Sequence, residues 1–188
     1  YMRLNNDVKG SRVGAVSIDN MFVDGNIEAT GADIFLMSNR NAAINGNLKA
    51  NTEVHVDAID SMSVNGTVDA VTGDVILHAN NALQTNGAVT AGGDAIISTE
   101  RGTLGVYGTV TAAGTANIGS ADGDVYVDED VTADYIVIST NNGNASVSGG
   151  LTAEDSVTVQ AGLDASVTGD VVAKGDFIRV TGGEDVLV

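Results

Sequence analysis

The chain has no cysteine, no proline and no tryptophan, and aromatic residues of all kinds make up only 4% of it. Absent cysteine excludes disulfides, thiolate metal ligands and thiol nucleophiles together. Absent proline fits a backbone whose N–H groups are committed to a sheet ladder, because proline cannot donate to one. With so few rings, the core must be thin and filled by Val, Ile, Leu and Ala. Basic residues are scarce as well. Eight Lys and Arg stand against 25 Asp and Glu, for a net charge of −17 and a pI near 4.1. That balance excludes the basic patch on which nucleic-acid binding depends, and it disfavours docking on anionic membranes. It favours solubility and attraction for cations. No run of 18 apolar residues offers a transmembrane helix. No basic start leads into an apolar stretch as a signal peptide requires.

What the chain does have is hydrophobic residues at 43%, 24 glycines and a length of 188 residues, enough for one domain with a sizeable core. It also repeats itself. The frame apolar-x-apolar-x-Gly-x-apolar-x-Ala starts at Met2, Met21, Ala42, Met62, Leu83, Leu104, Val125, Ala145 and Ala165, and a tenth copy begins at Val186. Successive starts differ by 19, 21, 20, 21, 21, 21, 20, 20 and 21 residues, so no copy carries an insertion. The seventh slot is always aliphatic, from Val8 and Ile27 through Leu151 and Val171. The ninth is Gly10 and then Ala in every later copy. A second apolar pair follows, such as Val54 and Val56, Val75 and Leu77, or Ile136 and Ile138.

Alternation with period two, carried by Val and Ile, predicts strands of three to five residues. A copy of about 20 residues cannot bury its own apolar face, and stacking the copies does so. The expected fold is therefore all-β. It is a single-stranded, right-handed parallel β-helix of about nine coils of 19–21 residues, one solenoid domain over residues 1–188. Each strand pairs with its equivalent one coil away at about 4.8 Å, so nine coils make a rod of about 43 Å.

The corners carry their own signals. The fifth slot is Gly in seven copies, with Asn6 and Glu129 as exceptions, and Asn45, Asn65 and Asn86 precede it in three consecutive coils. Asn-Gly tolerates positive φ and marks a corner, and stacked Asn side chains can hydrogen-bond from coil to coil. The alternative, a polar binding stripe, uses the same residues. Thr90, Thr111, Thr132 and Thr152 form an outward row. Ice binding would need a second, paired Thr column. The nearby slot reads Ala88, Thr109, Asp130 and Gly150, so cross-strand Thr packing accounts for the row. Asp124, Asn144, Asp164 and Asp185 recur at the last corner. Asp124, Asp164 and Asp185 are thereby candidate calcium ligands, since a cation with oxygen ligands would relieve the repulsion between stacked carboxylates. Solvated turn residues give the same pattern. Arg101 and Asp122 are spaced to form an exposed pair on neighbouring coils.

Nothing predicts an enzyme. Solenoid enzymes build clefts from loops that leave the coil, and uniform coils leave no room for them. His55 and His78 lie in or after the second apolar segment of consecutive coils, with His55 turned outward, and neither belongs to a His-x-x-x-His or His-Glu-x-x-His motif. No Gly-x-Ser-x-Gly elbow occurs, and no carboxylate pair is placed for glycoside hydrolysis. No catalytic or cofactor-binding residue is assigned. Asn65 and Asn144 begin Asn-x-Ser/Thr sequences, a short and often accidental pattern.

The stretches "NGNLKANTEVHVDAIDS" (45–61), "GTVTAAGTANIGSADGD" (108–124) and "GGLTAEDSVTVQAGLD" (149–164) resemble the Gly-x-Leu/Val-x-Ala-x-x-x-Val-x-Val-x-Ala repeats of filamentous-haemagglutinin-like exoproteins. The resemblance covers essentially the whole chain and rests on the frame. It implies a right-handed parallel β-helix in a large bacterial surface or secreted protein, acting as a stalk, adhesin or extracellular filament with a host-cell or glycan ligand. The family's signature secretion domain is absent from these residues. "ASVTGDVVAKG" (165–175) resembles the turns of bactofilin, a polymerising β-helix with shorter coils, which implies an end-to-end filament subunit. Both ends look like cuts in a longer protein, and uncapped end coils expose unpaired edges. The expected partner is therefore the continuing chain or a second copy at the solenoid ends.

Overall fold

The computed structural model describes residues 1–188. It has no helix; its 26 strands fall into two parallel sheets that wind around one axis. The first strand of every coil enters a ten-stranded sheet that runs from Met2–Leu4 through Met62–Val64 to Val186–Leu187. Its register is the repeat frame itself. Met2 pairs Met21, Met62 pairs Leu83, Leu104 pairs Val125 and Ala165 pairs Val186. The second and third strands of each coil form two further faces. They join into one sheet because Val131–Thr140 and Leu151–Gln160 run unbroken around the corner between them. The molecule is a parallel β-solenoid of about nine coils with three faces per coil.

The core follows from the alternation. In the inner coils a three-residue strand typically buries its outer two positions and turns its middle one outward, as in Leu48–Ala50, and a five-residue strand buries three, as in Val54–Ala58. The 47 buried hydrophobic residues form one cluster of Val, Ile, Leu, Ala and Met, with no aromatic among them. Coil stacking leaves an inner column too narrow for rings, and close-packed aliphatic side chains fill it.

Coil length is absorbed unevenly. From the first slot to the ninth, every coil spends the same number of residues. From the ninth slot to the first inward residue of the third strand the step is three residues at Gly10 to Val13, four at Ala50 to Val54 and five at Ala29 to Ile34. The first corner is thus invariant, while the second and third take up the difference. At the second corner Ala133 steps to Ile136 in three residues, and the register against the next coil shifts between Ala133 and Tyr135. In this coil and the next the backbone stays in the ladder across the second corner, so Val131–Thr140 and Leu151–Gln160 are longer than the expected three to five residues.

The first-corner glycines are in place, but positive φ is not their reason. The only positive-φ residue of the chain is Gly102, at 72°. A Cβ on Gly66 would instead lie 2.2 Å from the carbonyl oxygen of Gly46, and one on Gly87 would lie 2.1 Å from that of Gly66. Glycine is required because each coil lays this residue against the carbonyl of the coil before it. Among residues 1–188 no earlier coil lies against Asn6, whose own carbonyl meets Gly25. Nothing in the structure explains Glu129.

Candidate functional site

The outward residues form columns along the rod, one per strand position. At the first corner the amide ladder is longer than the three Asn residues suggest. Asn86 Nδ2 donates to Asn65 Oδ1 (2.6 Å), Asn65 Nδ2 to Asn45 Oδ1 (2.8 Å) and Asn45 Nδ2 to Asp24 Oδ1 (2.8 Å). Arg3 closes it by donating from Nε to Asp24 Oδ2 at 2.8 Å. The Asn45 amide and then the Arg3 guanidinium hold the Asp24 carboxyl below its ordinary 3.8. A parallel chain runs through the slot after the glycine. Asp7, Asn26 and Asn47 each accept the backbone N–H of the residue one coil on, at 2.8 to 3.0 Å. Polar side chains here fasten coil to coil.

The candidate calcium ligands belong to a third ladder. Asp124 Oδ1 accepts the backbone N–H of Asn144 at 2.8 Å, Asn144 Oδ1 accepts that of Asp164 at 3.1 Å, and Asp164 Oδ1 accepts that of Asp185 at 3.1 Å. The other oxygen of Asp124 accepts the Tyr126 hydroxyl at 3.3 Å, and the Asp124 charge raises the Tyr126 pKa above its ordinary 10.0. Asp124, Asp164 and Asp185 are spread along the corner and do not meet at one point. Both glycosylation-type asparagines also spend the side-chain nitrogen that a glycan would occupy. Asn65 donates it to Asn45, and Asn144 donates it to Asp124.

Six of the eight basic residues pair with an acid one coil away: Arg3–Asp24, Lys9–Glu28, Arg12–Asp33, Arg40–Asp19, Lys49–Asp69 and Lys174–Glu154. Five of these pairs have their basic residue in residues 1–49, which hold five basic and five acidic residues. Residues 50–188 hold three basic and twenty acidic residues, and therefore the whole net charge. Arg101 and Asp122 are register neighbours, as their spacing predicts. The Asp122 carboxylate, however, accepts from Asn142 Nδ2 at 2.6 Å, and no ion pair to Arg101 forms. On the second face, Lys9, Glu28, Lys49 and Asp69 alternate in sign along one outward column, and Thr90, Thr111, Thr132 and Thr152 continue it. Each three-residue strand offers only one outward position here, so the Thr column has no second column beside it.

The two histidines come together on the third face. His55 and Asp57 point outward from Val54–Ala58, and His78 points outward from Val75–Ala79 in register with Asp57. His55 Nε2 lies 3.0 Å from Asp57 Oδ2, and its Nδ1 lies 3.3 Å from Glu53 Oε1. The Phe35 ring packs edge-on against the imidazole, with centroids 5.2 Å apart. His78 Nδ1 is 3.0 Å from Ser98 Oγ. Ser98, His78 and Asp57 occupy one column on three successive coils, but the Asp57 carboxylate turns to His55, so no acid orients His78 for base catalysis. The surface depressions are open. One of about 450 Å³ lies among Tyr1, Arg3, Asp19, Phe22, Asp24 and Asn45, away from the histidines.

One structural set has no counterpart among the sequence expectations. The last inward slot of the third strand carries buried Ser17, Ser38, Thr99, Ser120 and Thr140, interleaved with Ala58 and Ala79. Ser38 Oγ donates to the Asp19 carbonyl at 2.7 Å, and Thr140 Oγ1 donates to that of Gly123 at 2.7 Å. These two hydroxyls reach turn carbonyls, whereas that of Thr99 is buried with no partner. The signal was a small or hydroxyl residue recurring about once per coil.

No family model, no curated protein and no solved structure matches the chain. Its class is set by its own geometry: a repeat protein of the parallel β-solenoid type. No helix is long and apolar enough to cross a membrane.

Proposed function

We propose that residues 1–188 are a rigid spacer, the β-helical rod segment of a large bacterial secreted or surface protein, serving as a stalk or adhesive filament. The observation that supports this best is the unbroken register of the first-strand sheet, with no loop leaving any coil. Uniform coils, corner ladders and coil-to-coil ion pairs all stiffen one dimension and leave no cleft for a substrate. On this reading the chain is not an enzyme, and its outward columns present a regular acidic surface at a distance. The outside location rests on the resemblance of the repeat frame to filamentous-haemagglutinin-like exoproteins. Electron microscopy of the parent protein tests it. Thin rods on the cell surface or in the medium are expected, lengthening by about 4.8 Å per coil. A compact intracellular particle would overturn it.

A second reading is a filament subunit that joins end to end. Ile178 and Val186, in slots that are inward elsewhere, are 48% and 49% exposed. A further coil of the same chain or the first coil of another copy covers them equally well. Sedimentation separates the two: association that grows with concentration supports the filament, and a monomer throughout opposes it.

A further inference from the structure

The contacts of His55 contain a mismatch. An imidazole carrying one proton can donate to one carboxylate only. Here both ring nitrogens face carboxylate oxygens, Glu53 at 3.3 Å and Asp57 at 3.0 Å. Whichever nitrogen carries that proton, the other turns a lone pair toward a carboxylate, and with the proton on Nδ1 the facing pair is Nε2 and Asp57. Two electron-pair donors so placed call for a second proton or a cation between them. A third such donor stands one coil on, because His78 is the register neighbour of Asp57 on the same outward face.

We propose that His55, Asp57 and His78 bind a transition-metal dication of the zinc class on the third face of the rod. Two ligands at i and i+2 on one strand are separated by about 6.6 Å of backbone, and the third stands about 4.8 Å across on the next strand. Imidazole and carboxylate side chains rooted at that spacing can converge above the sheet. Two imidazoles and one carboxylate are ligands suited to zinc, with the fourth position open to water. The surroundings offer what such ligands need. Glu53 Oε1 stands 3.3 Å from His55 Nδ1, placed to take its proton when Nε2 binds the ion, and Ser98 Oγ stands 3.0 Å from His78 Nδ1. Phe35 backs the His55 ring, and the His55 and Asp57 side chains are only 25% and 27% exposed, so little freedom is lost on binding. No three ligands meet at one point in the conformation seen, because His78 leans toward Ser98. On this proposal His78 turns from Ser98 toward Asp57, its register neighbour, to complete the set. The strands carrying these residues lie on adjacent coils, so the ion would cross-link the rod.

The test is a calorimetric titration of the metal-free 188-residue chain with Zn2+, followed in parallel by the imidazole nitrogen resonances. One ion per chain is expected, with the nitrogens of both histidines shifted and no displacement by millimolar calcium. His78→Gln should weaken binding at least tenfold, and Glu53→Gln should weaken it by roughly tenfold through the lost support of His55. All these residues point outward, so the strand signal in circular dichroism should be unchanged. The absence of saturable binding would overturn the proposal. So would unmoved imidazole resonances, or equal affinity in the His55→Gln/His78→Gln variant, either of which would assign the ion to the acidic corners.

Discussion

Thr85 stands where other coils place Val64, Val106 or Val127, and its hydroxyl is buried without a partner. A buried, unpaired polar group costs about 1–3 kcal/mol. Valine has the same shape without that group, so Thr85→Val should raise unfolding stability by about 1–2 kcal/mol in urea titrations. Gly66 makes the opposite case. Its missing Cβ leaves room for the Gly46 carbonyl, and Gly66→Ala should cost about 1–3 kcal/mol by overpacking. The paired carboxylates set a pH limit. Asp24 is held low by Asn45 and Arg3, and Asp33 by Thr52 and Arg12, each relative to an ordinary 3.8. The folded state therefore favours their ionised forms. That contribution is complete above the ordinary value and is lost as pH falls through the lowered one. Melting temperature should therefore drop more steeply below pH 3.8 in the native chain than in an Asp24→Asn/Asp33→Asn variant. Parallel curves for the two would contradict the assignment.

At the scale of strands and corners, the Asn ladder is the element that ties coils together outside the sheet. Asn65 donates to Asn45 and accepts from Asn86, so Asn65→Ala removes two hydrogen bonds. The expected loss is about 1–2 kcal/mol at an exposed corner, read from the shift in urea midpoint. Much of this level was legible in the sequence. Period-two alternation fixed the inward slots, and the constant interval across the first corner fixed the register from Met2 to Val186. The second corner was less legible, because its three to five residues obey no local frame and only the tertiary stack decides which of them stay in the ladder. The first-corner glycines mark a corner in the sequence, but not through the contact that requires them. Contact with the coil below leaves no trace in local sequence, whereas a preference for positive φ is a local property. The buried hydroxyls of the third corner are not legible locally, because Ser and Ala are nearly equal in volume and alternate in one column. The His55–Asp57–His78 grouping needed the register of two coils, which motifs along one chain do not display.

At the scale of the whole molecule, the solenoid is quasi-one-dimensional: each coil touches only its neighbours, so its length is set by coil number. Charge is distributed along that length, with residues 1–49 balanced and residues 50–188 carrying all of the −17. The acidic part repels itself, and added salt should screen it. The central claim is that a step of one repeat in sequence is a step of one coil in space. Because the chain has no cysteine, pairs of spin labels can be placed cleanly in one outward column. Lys49, Thr90, Thr132 and Val172 share such a column on the second face. With one label at Lys49→Cys and the other at Thr90→Cys, Thr132→Cys or Val172→Cys, electron–electron resonance should give backbone separations of about 10, 19 and 29 Å, rising by about 4.8 Å per coil. Separations that level off, or that do not rise in that order, would contradict the rod.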